Sequence, residues 1–375
     1  MSMSLGLVKS SSLRLFLVVF IILSLGFQLY RIRDTFFASY DYEYYSDRYL
    51  HSQYVMGEGS KYIISDFDLY AYAGYFYVTG GDISRVNFEN PPLGKYLIGL
   101  SILVFNNPHI IYIGFAAWYL YLTYKFGLLL FKNQLVPLIA ISVLVWDPYF
   151  IHMVKYTHLD FLMATFFITG LYLFITAKSL KHYSLSSLFF GLALATKFFP
   201  FFAIVLAYLV FFQWATRRKE LLAFILSIPI IFITYTFTHV QYILSHNIVE
   251  FIKYQWWVVR WRSGNPIVVG NIIQSVLFGR LKVWWKTTEQ YHSWSEEWSP
   301  LLPTVVLTSI VSSFKLNTTT PQRFIIGYIT IFLLYIFFIT EGGLKYLAPL
   351  YLFFYLFSAA LIFSLLRNKH KTNRR

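Results

Sequence analysis

Apolar stretches long enough to cross a bilayer recur along almost the whole chain, and polar residues are confined to the intervals between them. The first, Leu15 to Tyr30, follows Lys9 and Arg14; no small-residue cleavage site accompanies Phe27-Gln28-Leu29-Tyr30-Arg31, so it reads as an uncleaved signal anchor. A polar interval follows, Arg31 to Pro92, rich in Tyr, Asp and Glu. Leu93 to Phe105 is apolar but too short to span about 30 Å of hydrocarbon, and predicts a juxtamembrane or re-entrant helix on the same side as that interval. Further apolar runs lie near 109–131, 134–152, 158–177, 184–200, 201–214, 221–240, 301–314, 324–340 and 344–366. With the anchor they predict about ten transmembrane helices in one all-α polytopic membrane domain covering residues 1–375. No fixed-period repeat or linker divides it. Two external regions stand out, the loop 31–108 with its juxtamembrane helices and a Trp-rich segment, 241–300.

Charge orients the spans. With the N-terminus cytoplasmic, the inside segments hold Lys9, Arg14, Lys125, Lys132, Lys178, Lys181, Arg217, Arg218, Lys219, Lys315, Arg323 and the basic tail from Arg367, while Glu220 is the one acidic residue among them. Counting Leu93 to Phe105 as a span inverts everything after it and breaks this bias, so both termini are placed inside. Composition closes off other classes. The chain of 375 residues is 57% apolar and 13% charged with mean hydropathy +0.56, which excludes a water-soluble globule. The net charge of +14 is scattered between apolar runs, as in oriented membrane helices, and no nucleic-acid partner is expected. With no cysteine, chemistry must rest on carboxylates, histidines, tyrosines or amines.

Ionisable residues beside the outer bilayer edge are therefore the informative ones. Asp66-Phe67-Asp68 carries two carboxylates, and the apolar run Tyr70 to Val78 after it predicts a short helix lying on the membrane with Asp66 at one end of a cavity. Phe88-Glu89-Asn90-Pro91-Pro92-Leu93-Gly94-Lys95 follows. Asp147, Lys155 and Asp160 form a second outward group. Lys197 forms a third, where Pro200 interrupts a long apolar run, and Glu341, Lys345 and Tyr346 form a fourth. Carboxylates over amines at a lipid–water boundary suit a reaction that deprotonates a hydroxyl while holding an anionic lipid phosphate as leaving group. Against this stands a plainer reading, in which external carboxylates are solvated, Lys95 and Lys155 snorkel, and the histidines, which show no metal-ligand spacing, sit at the interface. Trp256, Trp257, Trp261, Trp284, Trp285, Trp294 and Trp298 similarly read as interfacial helices, or as a groove for lipid or glycan.

The run Asp66-Phe67-Asp68-Leu69-Tyr70-Ala71, then Gly81-Asp82 and Glu89-Asn90-Pro91-Pro92-Leu93-Gly94-Lys95, resembles the first external loop of GT-C glycosyltransferases of the protein O-mannosyltransferase and aminoarabinose transferase kind. Asp160, the step Gly191 to Lys197, and Lys345-Tyr346 with Pro349 are similar to later motifs of that family. The resemblance implies a GT-C-like bundle and transfer of a sugar, mannose-like or other hexose, from a polyprenyl- or dolichyl-phosphate carrier to a hydroxyl of protein, lipid or glycan. It implies Asp66, Asp68 and Asp160 as catalytic candidates and Glu89, Lys95, Lys197, Lys345 and Tyr346 as substrate-binding ones. Phe67 stands where the family often has Glu, so either Asp66 or Asp68 is the base. Asn90 replaces the family's His or Lys, and a divalent metal is left open. The rival class is a multi-span transporter or lipid-linked-sugar flippase, which calls for ionisable groups near the midplane.

Overall fold

Each apolar run folds as helix, because in hydrocarbon every backbone N–H and C=O must be bonded within its own segment. The computed structural model describes residues 10–197, 201–264, 267–282, 291–293, 296–315 and 318–372. The anchor is α1 (Ser10–Arg31), and the polar interval after it forms α2 (Arg33–Phe37), α3 (Tyr42–Leu50), α4 (Gln53–Met56) and α5 (Asp66–Val78). Then come α6 (Leu93–Phe105), α7 (Ile110–Phe131), α8 (Leu135–Leu144), α9 (Pro148–Lys155), α10 (Leu159–Thr176), α11 (Leu180–Thr196) and α12 (Phe202–Thr216). The segments α13 (Leu221–Ser227), α14 (Pro229–Phe237), α15 (Val240–His246), α16 (Ile248–Ser263) and α17 (Asn271–Phe278) lead to β1 (Arg280–Lys282) and β2 (Tyr291–Ser293). The chain closes with α18 (Leu301–Lys315), α19 (Thr320–Ile339) and α20 (Tyr351–Thr372).

Among the described residues five segments are long and apolar enough to cross a bilayer, namely α1, α7, α10, Arg218–Phe237 and α19; α8 with α9 makes a sixth if the bent pair is one span. Four shorter apolar helices join them, α6, α12, α18 and α20 as far as Leu366. The chain is thus an all-α polytopic membrane protein. At its centre lies α10, 83% buried over its apolar window, whereas α1 is only 17% buried and offers most of its surface to lipid.

Polar bonds mark two ends of the bundle. At one, Arg14 donates to Gln134 (2.5 Å), Tyr183 to Glu220 (2.5 Å) and Gln322 to the Leu130 carbonyl (2.9 Å). At the other, Trp146 donates to Ser24 (3.0 Å), Asn107 to the carbonyls of Thr35 and Ala38 (2.8 and 2.7 Å), and Lys197 meets Asp160. The long helices run alternately between these ends. One expected rod is broken: the run 134–152 bends by 70° between α8 and α9. Pro148 lacks an N–H to continue α8, and Asp147 caps α9 instead, accepting from the Tyr149 and Phe150 amides (2.7 and 3.3 Å) and from the Tyr355 hydroxyl.

At 13 residues α6 rises about 20 Å, short of the hydrocarbon thickness, and it packs on α5 at the second end. Glycine allows the approach, since a Cβ on Gly74 would lie 2.8 Å from the Lys95 carbonyl oxygen and 2.9 Å from the Gly99 nitrogen. A Cβ on Gly94 would lie 2.6 Å from Leu159 and 2.9 Å from Thr196, so the glycine after Pro91-Pro92 lets α6 wedge between the start of α10 and the end of α11. Phe251, Tyr254 and Val258 of α16 build a second, smaller core with Leu69, Tyr72, Ala73 and Tyr77 of α5. Trp256, Trp257 and Trp261 stay exposed, as an interfacial helix requires, and Trp257 stacks on Phe88 with centroids 3.7 Å apart. The antiparallel pair β1 and β2, with Leu281 opposite His292, is a small departure from an all-helical segment. Trp284, Trp285, Trp294 and Pro200 lie outside the described residues.

Candidate active site

Asp66 stands in the first turn of α5, which Ser65 caps by accepting from the Asp68 amide (3.1 Å), so its carboxylate faces the positive end of the helix dipole. Its side chain is 44% exposed although surrounded by cations, which makes it reachable by a ligand. Lys345 Nζ lies 3.7 Å from its carboxylate and 3.2 Å from Glu341, and the Tyr346 hydroxyl donates to Glu341 at 3.3 Å. Lys197, the residue that ends α11, turns its amine onto Asp160 at the head of α10 (2.6 Å), and both side chains are buried. Burial alone pushes the Asp66 carboxyl up, but Lys345, Lys197 and Arg262 outweigh it and hold it below the usual carboxylate range. Lys345 is destabilised as a cation by burial, yet Glu341 and Asp66 hold it well above the usual amine range. Asp66 is therefore ionised, and Lys345 cationic, across the neutral range.

Asp66, Asp160, Lys197, Lys345 and Tyr346 thus come together. Asp68 does not join them: two residues further round the helix, it pairs with Arg48 at 3.0 Å. Lys95 lies beneath the turn before α6, fully buried, donating to the Asn87 and Asn90 carbonyls (2.6 and 2.7 Å) with Tyr77 under its amine. Glu89 is buried beside it; Asn87 donates to one carboxylate oxygen (2.5 Å) and the other has no hydrogen-bond partner among the described residues. Its neighbours are Lys95 and Arg262, cations that repel a divalent metal, and among the described residues no three His, Asp or Glu gather to hold one.

Sequence reasoning missed Arg262. It reaches from the end of α16 to donate to the Glu89 carbonyl (3.2 Å) and to the Asn90 side chain, adding a third cation within reach of Asp66. The signal was present, two arginines, Arg260 and Arg262, flanking Trp261, but it is the pattern any interfacial helix shows. Also missed were His152 and His158, whose rings lie against Phe67, the residue next to Asp66.

Among solved structures the fold is similar to that of ArnT from Cupriavidus metallidurans bound to undecaprenyl phosphate, with TM-score 0.61 at 13% identity, and to ArnT from the same organism in the apo state, with TM-score 0.57 at 10% identity. Each match covers 80% of this chain and 55% of the other, so this chain spans just over half their length. The likeness establishes a GT-C fold. No family model matches the sequence, and no curated protein matches it.

Proposed function

We propose that the chain is a membrane glycosyltransferase that moves a sugar from a polyprenyl-phosphate carrier, undecaprenyl- or dolichyl-type, to a hydroxyl on a protein, lipid or glycan. The site opens on the extracytoplasmic face, with both termini cytoplasmic. The observation that carries this reading is the half-exposed Asp66 carboxylate set among Lys345, Lys197 and Arg262. In the reaction, Asp66 takes the acceptor's hydroxyl proton as that oxygen attacks the anomeric carbon from the face opposite the phosphate. The bond from carbon to phosphate oxygen breaks, the configuration inverts, and the lipid phosphate leaves. The three cations stabilise the charge that develops on the phosphate. Lys197 also anchors Asp160, and Tyr346 orients Glu341 and through it Lys345. A transporter is less well supported, since the ionisable groups lie at helix ends, in the first turn of α10, at the end of α11 and ahead of α20.

The purified chain, offered a panel of radiolabelled undecaprenyl- and dolichyl-phosphate sugars with hydroxyl acceptors, should release lipid phosphate as it glycosylates the acceptor. Its pH profile carries a sign. Asp66 is held low, so activity is full at neutral pH and is lost only in acid, as the carboxylate protonates. Lys345→Met removes the nearest cation, so the pH of half-loss should move upward by about one unit. An acid limb that stays in place, or moves down, refutes the pairing of Asp66 with Lys345.

A further inference from the structure

Tyr54 stands beside the site and takes no part in the reaction as written. It lies on α4, a single helical turn between α3 and α5, and is 45% exposed. That turn is fastened on both sides. Ser52 caps it by accepting from the Tyr54 amide (3.3 Å), and the Lys61 and Tyr62 amides donate back to the His51 carbonyl (3.0 and 3.2 Å). The Ile64 amide, two residues ahead of Asp66, donates to the Gln53 side chain (2.9 Å). Gly57 reverses the chain after α4 with φ +59°, a conformation that favours glycine. These bonds hold Tyr54 in register with the start of α5.

The charged groups within electrostatic reach of its hydroxyl are those of the site, namely Glu89, Asp66, Lys345 and Arg262. Burial, then the carboxylates of Glu89 and Asp66, raise the hydroxyl above the usual phenol range, so it stays a neutral donor. Among the described residues nothing hydrogen-bonds it. One end of the side chain is thus enclosed by the site while the residue keeps nearly half its surface open. That is the position of a wall beside an open recess, and a core tyrosine such as Tyr77, 2% exposed and bonded to two carbonyls, shows the contrast.

Three kinds of acceptor hydroxyl could enter such a recess, and its walls discriminate among them. A peptide gains affinity by pairing its backbone with free amides, but here the amides of Tyr54, Val55, Met56, Lys61, Tyr62 and Ile64 are all bonded within the strap. A lipid tail would find Val55 and Met56, exposed beside Tyr54, yet inside the recess it would take water from four charged groups and return no hydrogen bonds. A sugar ring satisfies both surfaces. Its C–H face lies on an aromatic ring, and its hydroxyls both donate to the carboxylates and accept from the cations and the phenol.

We propose that the acceptor is a saccharide, and that its terminal sugar stacks on the Tyr54 ring and so presents a hydroxyl to Asp66. This rests on the reading of the chain as a glycosyltransferase, and the test separates the two. The purified full chain is given undecaprenyl- and dolichyl-phosphate-linked sugars with three acceptors in parallel, a set of methyl hexosides and short oligosaccharides, a Ser/Thr peptide, and diacylglycerol in mixed micelles. Transfer should go to the saccharides. Tyr54→Ala should then raise the KM for the saccharide on the order of 10-fold and leave the KM for the donor in place, while Tyr54→Trp and Tyr54→Phe, which keep an aromatic face, should stay within about threefold of the parent. A merely structural role for Tyr54 would move both KM values. Transfer to the peptide or diacylglycerol in preference to every saccharide, a saccharide KM that Tyr54→Ala does not change, or an equal rise in the donor KM each overturns the acceptor assignment alone. A parent chain that transfers sugar to none of the three overturns the glycosyltransferase reading, and the acceptor with it.

Discussion

Asp66→Asn is expected to lower the rate of sugar transfer on the order of 10³-fold while the protein stays folded. Asparagine keeps the shape of the side chain and removes its ability to accept a proton, so the loss falls on the chemical step. Structure should tolerate the change, because Asp66 is half-exposed and its neighbour Lys345 keeps Glu341 as a partner at 3.2 Å. Asp68→Asn is the matched control. It breaks the pair with Arg48 at the edge of α3 and α5 and should cost some stability, with a far smaller loss of rate. Turnover and unfolding midpoints of both purified variants decide the matter. A slow Asp68 variant beside a nearly normal Asp66 variant would transfer the base to Asp68.

The second large effect concerns the buried pair of Lys197 and Asp160. Removing either partner leaves the other charge nearly buried without its counter-ion, so Lys197→Met or Asp160→Leu alone should destabilise the fold by about 3–5 kcal/mol. Making both changes together removes the stranded charge, and the double variant should regain most of that stability. It should not regain activity if Lys197 is, as proposed, one of the three cations that meet the departing phosphate. Unfolding midpoints with transfer rates for the four proteins of the cycle test this. A double variant that recovers rate as well as stability would show that Lys197 is only a structural partner of Asp160.

Hydropathy made most of the architecture legible, because the bilayer imposes one solution on an apolar run and leaves its length readable. The short run 93–105 was legible for the same reason, being too brief to cross. The bend at 145–147 was not, since the apolar pattern resumes directly after Asp147-Pro148, where the proline stops α8 and the aspartate caps α9. At the site, the carboxylate at the head of α5 could be read from a polar pair ahead of an apolar stretch. What each lysine does could not. Lys95 and Lys197 look alike in sequence, each beside a glycine-bearing apolar helix, yet Lys95 is used up by the turn beneath it while Lys197 pairs with a carboxylate beside Asp66. Arg262, His152, His158 and Glu297 acquire their meaning from partners on other elements, and no local pattern announces such contacts.

If Asp66 lies in an outward-facing site that receives a lipid phosphate, a thiol placed there reports it directly, because the sequence contains no other cysteine. With Asp66→Cys as its one thiol, the protein in intact cells should react with a membrane-impermeant maleimide, and added undecaprenyl phosphate should protect the purified variant from the same reagent. Labelling only after the cytoplasmic face is opened would place Asp66 on the other side of the membrane, and labelling indifferent to undecaprenyl phosphate would mean that the lipid phosphate binds elsewhere.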